Sequence, residues 1–499
     1  MLRGLTHLLL PLVGTAAFLN CFTSVDAKLM SRAELRTKQA ETVARLKGSL
    51  PRADRPNTSS GVKNITFTNP RASDSARLTR ELTSHISYYL SFINGGWVYP
   101  LCQPSPRFSP VAAPKLFFWF FPPGPQGSVD DLIFWTNGGP GCSSLKGVLQ
   151  ENGPFQWSYG QARPTQNEYS WTNLSSILFL EHPVGTGFSQ GKPNITNEDQ
   201  LAEQVVGFMQ QFLEVFRELQ GKKLYLSGES YAGMYVPYIA NYIYEHPDAL
   251  KLSLTGFWIS DPTLGYDVVQ WEIPIVGFVH KYEHVFSFKY VTLQPSGLWD
   301  SDDKQVLYLG SQSFMAHLDA VAARCGYADY FDKHWPVLWD VLGFPGSFFE
   351  AQSPIYFDRE EVKRVIHAPL NVTWAACSDI DVFVGGVDQS LPPAYTVLPN
   401  VIERSERAVI VHGLADFFYI ADGARIVIQN MTWNGLQGFQ KPIKEDSFIV
   451  DGMGALGNVH SERGLTYYEV ALSGHEVPQF SPKAAFQIME YLMGFREKS

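Results

Sequence analysis

Cysteine is scarce in this sequence, five among 499 residues, and positive charge is neither abundant nor clustered: 39 Lys and Arg stand against 49 Asp and Glu, a formal net charge of -10. Without a basic patch the chain cannot neutralise a run of phosphates, which excludes nucleic acid and anionic membrane surfaces as partners. HExxH and paired CxxC motifs are missing, and the twelve histidines lack ligand spacing along the chain, so no metal and no cofactor are expected. Beyond the N-terminus no apolar run reaches the roughly 20 residues of a bilayer span, so no stable membrane anchor is expected. No internal repeat or low-complexity tract stands out, and oligomeric state is left open.

What is present begins with Arg3, an apolar run over 8–19 broken by Pro11, Gly14 and Thr15, and then Val25-Asp26-Ala27. A short apolar stretch followed by small residues reads as a signal peptide, residues 1–27, cleaved after Ala27. Sequons at Asn57, Asn64, Asn173, Asn194, Asn371 and Asn430 fit the same route, and the expected destination is extracellular, with the vacuole as the alternative. Removing Cys21 leaves Cys102, Cys142, Cys325 and Cys377, an even number in an oxidising compartment, and spacing alone does not choose among three pairings. Residues 28 to about 60 are charged and poor in large apolar side chains, an N-terminal arm or propeptide with one weakly amphipathic helix over 33–46.

Residues 61–499 are long enough for one large catalytic core carrying insertions. Short apolar runs at 116–121, 132–136, 177–181, 224–227, 254–260, 408–412 and 467–472 alternate with helical periods, the pattern of parallel strands buried on both faces. Between them Leu201, Val205, Phe208, Phe212, Val215, Phe216 and Leu219 recur at helical spacing, with Thr196 and Asp199 as the expected capping pair. Residues from about 262 to 355 break the alternation and read as an insertion able to cap a cleft.

In such a fold, chemistry gathers where strands end. Gly-Glu-Ser-Tyr-Ala-Gly at 228–233 follows one apolar run and lifts the Ser230 hydroxyl at a tight strand-to-helix turn. Asp416 and His475 follow two later runs, and the order Ser230, Asp416, His475 is that of an α/β-hydrolase triad. The fold class expected is therefore α/β, an α/β-hydrolase with a mostly parallel central sheet flanked by helices. An oxyanion needs fixed N–H donors, and the backbone amides of Tyr231 and Gly139 are the natural candidates.

With those residues in hand, the chain resembles the serine carboxypeptidases, and in particular their secreted fungal branch. The likeness lies in WTNGGPGCSSL at 135–145, GESYAG at 228–233, HGLAD at 412–416, GHEVP at 474–478 and TWNGLQGF at 432–439, and runs from about residue 116 to the C-terminus. It implies an acyl-enzyme exopeptidase acting on peptide and protein C-termini, with Ser230, Asp416 and His475 as triad and Gly139 and Tyr231 as oxyanion donors. It also implies that Asn137 and Glu229, helped by Glu151, grip the substrate's terminal carboxylate. Two acids facing an anion must hold a proton, so activity should fade as pH rises. The family's motif cysteine implies Cys142 paired with Cys377, which leaves Cys102 and Cys325 as a second pair or as free thiols.

Two departures bear on the leaving-residue pocket. Glu476 replaces the family's usual Met and Tyr419 a usual small or sulfur residue, and an acid at 476 favours a departing Lys or Arg, unless it turns to solvent. Residues 88–114 do not follow the family's turn-and-strand pattern, so an edge strand is expected to be missing or remodelled. The rival functions are an acyltransferase or esterase on the same scaffold, which would not need a carboxylate grip, and a silent secreted binding protein, which would not need an intact triad.

Overall fold

The computed structural model describes the backbone of residues 94–98 and then residues 115–157, 164–274, 277–278, 281–282, 340–342 and 355–497. The signal peptide, the N-terminal arm, Asn57, Asn64, Cys102, Cys325 and most of the expected insertion lie outside the described residues. Apart from Lys281 and Tyr282, those described fall in one compact unit, Phe67–Phe278 with Pro336–Ser499. Residues 262–278 therefore belong with the sheet-bearing unit, where Gln270 Oε1 accepts the N–H groups of Leu264 and Gly265, each at 2.6 Å.

Nine strands form one sheet: β1 (Asn94–Val98), β2 (Leu116–Phe121), β3 (Ser128–Thr136), β4 (Ser175–Glu181), β5 (Lys223–Glu229), β6 (Ser253–Ser260), β7 (Arg407–Gly413), β8 (Gly457–Glu462) and β9 (Leu465–Val470). Their spatial order is β1-β2-β4-β3-β5-β6-β7-β9-β8. From β4 across to β9 every neighbouring pair is parallel. The flanks are not: β2 runs antiparallel to both its neighbours and β8 antiparallel to β9. A wholly apolar run such as LFFWFF carries no information about direction, so the expectation of a parallel β2 is corrected by its pairing.

Of the two outcomes expected for the edge strand, missing or remodelled, the first is corrected, because the strand is there. β1 pairs along its length with β2, but its sequence NGGWV has two glycines and no alternation to betray it. At the other edge, β8 is half-exposed and polar and had no apolar period to read. β9 stops at Val470, two residues early, because Leu472 turns outward with φ of +57°.

Alternation along β2 divides the core. Leu116, Phe118 and Phe120 face one layer, and Phe117, Trp119 and Phe121 the other. In the first, the helix Glu198–Val215 presents its apolar stripe. Among the helices are α1 (Leu145–Gln150), α2 (Glu198–Val215), α3 (Ala232–Glu245), α4 (Ala421–Asn430) and α5 (Pro482–Leu492). Phe118 meets Phe208 and Phe212 edge-on at 5.6 and 5.5 Å, a geometry worth about 0.5–1.5 kcal/mol per pair beyond buried area. The cap of α2 is Asn197, whose side chain accepts from Gln200 N at 3.0 Å, instead of the expected Thr196–Asp199 pair. Thr196 donates to the Gln200 side chain, and the helix yields to a 3-10 turn at Arg217–Leu219. The opposite layer holds α1, α5 and a stack of Trp135, Trp171 and Trp258.

Of the sequons within the described residues, Asn194, Asn371 and Asn430 are exposed and Asn173 is partly so. No helix there is long and apolar enough to cross a membrane.

Candidate active site

Because β5, β7 and β9 all run in one direction, the turns that follow them emerge at one end of the sheet. Ser230 sits just past β5 with φ of +63°, a left-handed conformation costly for any residue with a side chain and held here by the surrounding bonds. Its N–H donates to Ser260 O at 2.9 Å, and its carbonyl accepts from Gly233 N and Thr263 N at 2.9 and 3.0 Å. Gly233 is required: a Cβ there would lie 2.5 Å from Thr263 O. The same holds for Gly138, whose missing Cβ would lie 2.3 Å from Tyr231 N, so only glycine lets the 137–142 loop close against the elbow.

Asp416, buried past β7, accepts the N–H groups of Phe418 and Tyr419 on Oδ1 at 2.7 and 3.1 Å. Its other oxygen, Oδ2, is 2.8 Å from His475 Nδ1. The carboxylate is thus held from one side by amides and presents its second oxygen to the imidazole. The Phe418 and Tyr419 rings pack on His475 with centroids at 5.4 and 5.9 Å, and the Tyr419 hydroxyl accepts from Thr263 Oγ1 at 2.8 Å.

A second cluster surrounds Asn137. Its Nδ2 donates to Glu151 Oε1 at 2.8 Å and to Glu229 Oε1 at 2.7 Å. Trp135 Nε1, donating to Asn137 Oδ1 at 2.9 Å, fixes which way the amide points. Burial pushes Glu151 up to about 7, with the charge of Glu476 adding to it, and pushes Glu229 well above the carboxylate range, with Glu151 adding to that. The two acids share hydrogen-bonding contact, so the pair retains a proton where ordinary carboxyls have lost theirs.

Glu476 joins this cluster, only 4% exposed and ion-paired with Lys146 at the start of α1. The charge at 476, expected to favour a departing Lys or Arg, is met here by a lysine of the chain itself. Lys146 escaped notice in the sequence because its partner is 330 residues away.

The 137–142 loop is pinned from outside the sheet. Cys142 and Cys377 form a disulfide across 235 residues. Ser143 N donates to Ala376 O at 2.7 Å and Ser378 N to Gly141 O at 2.8 Å on either side of it, and Trp374 Nε1 donates to Ser143 Oγ at 3.0 Å. The Ser143 hydroxyl in turn donates to buried Glu181.

Asp261, His412 and Asp416 each bring one ligand-type atom within 4.8 Å of the others, a grouping invisible in sequence spacing. Those atoms have protein partners: Asp416 Oδ2 meets His475, His412 Nε2 is 2.7 Å from Tyr419 O, and Asp261 Oδ1 accepts from Gly413 N at 2.8 Å.

Comparison with known proteins agrees with this geometry. The family model described as serine carboxypeptidase matches residues 108–283 and 347–494. A probable serine carboxypeptidase of Arthroderma benhamiae is 36% identical over 446 residues, covering 76% of this chain and 80% of its own. Serine-type carboxypeptidase F of Aspergillus niger is 37% identical over 457 residues, covering 77% and 82%. Among solved structures, a prohormone-processing carboxypeptidase of Saccharomyces cerevisiae shares the fold with a TM-score of 0.59 at 22% identity, covering 81% of this chain and 91% of that one. The chain belongs to the serine carboxypeptidase family, and it is a serine-type carboxypeptidase on an α/β-hydrolase fold.

Proposed function

We propose that this carboxypeptidase works through a Ser230 acyl-enzyme and recognises the free carboxylate of its peptide substrate with the protonated Glu151–Glu229 pair, so that it acts best in acid. His475 takes the Ser230 proton through Nε2, since Nδ1 is engaged by Asp416, and returns it to the departing amine. The amides of Gly139 and Tyr231 receive the oxyanion. A water then repeats the cycle on the acyl-enzyme.

The observation that carries the recognition step is the Asn137 amide. Both its hydrogens are donated to the two acids, so in the unliganded site it orients them more than it offers itself to substrate. The hydrogen for a substrate carboxylate then comes from an acid O–H, a donor that disappears on ionisation. An ester or acyltransferase substrate would have no use for such a pair, and no observation favours that reading. Secretion, by the signal peptide and exposed sequons, is part of the same proposal.

Timed mass spectrometry of an unblocked peptide and its C-terminal amide between pH 4 and 7 tests it. Single residues should leave the free acid stepwise, much more slowly the amide, and the advantage should shrink toward neutrality. Equal rates for acid and amide at pH 4 would refute carboxylate recognition.

A further inference from the structure

The triad reading uses Asp416 but says nothing of a second, equally buried aspartate against it. Asp261 follows β6 in a left-handed turn with φ of +45° and is 0% exposed. Its backbone N–H donates to Val411 O at 2.8 Å, and its Oδ1 accepts from Gly413 N at 2.8 Å, tying the end of β6 to the end of β7. Its Oδ2 is buried with no hydrogen-bond partner, Asp416 is the acid beside it, and one oxygen or nitrogen each from Asp261, His412 and Asp416 fall within 4.8 Å.

Two carboxylates in contact in a dry interior need a cation or a proton. The groups that face them are His412 on β7, His475 and Glu476 after β9, Glu469 on β9, and Asp340, which feels the charge of Asp416. Glu469 is neutralised by Arg425 and Glu476 by Lys146. His412 sits 3.6 Å from Asp261 and 3.9 Å from Asp416, but its Nε2 is directed to Tyr419 O and burial holds it below its ordinary range, so it is neutral. Among the described residues no cation is left for the second acid. Hydrogen-bond supply decides which acid keeps the charge: Asp416 receives two amides and an imidazole, Asp261 one amide.

We propose that Asp261 is a positioning residue for the triad, a neutral carboxylic acid whose O–H donates to Asp416 and moderates the negative charge that Asp416 presents to His475. With that charge moderated, activation of Ser230 extends further into acid than it would beside an unassisted aspartate. Burial and the Asp416 charge both raise the Asp261 carboxyl well above its ordinary range, in keeping with this role.

The proposal rests on the triad reading, and its test separates the two. The rate of Ser230 labelling by a fluorophosphonate, followed against pH, reports the base without any need for peptide binding. Failure of the native protein to label would remove the triad reading itself. If it labels, Asp261→Ala should move the acid midpoint upward by about one pH unit and cut labelling at pH 4–5 up to about tenfold, the loss of a hydrogen bond to a charged group. Asp261→Asn, whose amide still donates, should keep the native midpoint within a few tenths of a unit. Should the alanine variant not fold, infrared difference spectra of native against Asp261→Asn at pH 6 should still show loss of one neutral carboxylic C=O band. Coincident midpoints in a folded alanine variant, an asparagine variant shifted as far as the alanine, or no lost band would overturn the proposal.

Discussion

Lys146 and Glu476 form an ion pair that joins the start of α1 to the turn carrying His475, beside the two acids bridged by Asn137. The residue after His475 is therefore an acid whose charge is met within the chain. Its partner lies near enough to Glu151 and Glu229 to lower both, opposing the effect of Glu476 on them. Charge in this part of the site is set by three acids and one lysine together.

A first prediction concerns the leaving residue. With Glu476 closed on Lys146, peptides ending in Arg should gain no advantage over those ending in Leu. Lys146→Met would uncover Glu476, and the Arg-to-Leu ratio of kcat/KM should rise about fivefold, the scale of roughly 1 kcal/mol for a partly exposed pair. A native enzyme that already strongly prefers Arg would contradict this.

The carboxyl pair predicts the pH dependence of binding. Both acids are raised above their ordinary range, so the binding-competent protonated form is complete at low pH and is lost as pH climbs through the shifted value, about 7 for Glu151. KM for a free-acid peptide should be flat below about pH 6 and then rise by up to about tenfold per unit. Glu229→Gln cannot ionise and should flatten that rise, while kcat follows the triad. Steady-state KM profiles of the two proteins decide it.

At the triad, Asp416→Asn would remove the anion that fixes the His475 tautomer. The drop in kcat should be on the order of 10⁴-fold with little change in KM, as when a buried triad aspartate is made neutral elsewhere. Ser230→Ala should leave no fluorophosphonate labelling. A residual kcat within tenfold of native for the asparagine variant would mean that another acid orients the histidine.

Stability should fall as pH rises. Glu181 is fully buried, and burial raises it to about 7 despite hydrogen bonds from Ser143 and Phe188. Its folded value lies above its unfolded value of about 4.5, so the folded state binds the proton more tightly, and stability declines between those two values before levelling off. Each such acid contributes a few kcal/mol at most across the window. Calorimetry should give a lower Tm at pH 7.5 than at pH 5, and a Tm that climbs over that interval would contradict the assignment.

Burial patterns made seven of the nine strands legible, because runs such as 116–121 and 254–260 are apolar whichever neighbour they acquire. β1 and β8 escaped for the opposite reason: glycine-rich or polar edge strands carry no period. Ser230, Asp416 and His475 were legible because each follows such a run in the order the fold requires. Lys146, Trp135 and Asp261 were not, since each acquires its role from a partner brought close only by the crossovers between strands.

Local chemistry along the chain was enough to define the elements, the elbow serine and the family, since apolar periodicity and glycine at crowded turns act over a few residues. Which lysine covers Glu476 and which aspartate lies against Asp416 were decided by tertiary structure alone. Those properties depend on burial and on charges only ångströms apart in space, and both arise from packing strands whose sequence positions are hundreds of residues apart.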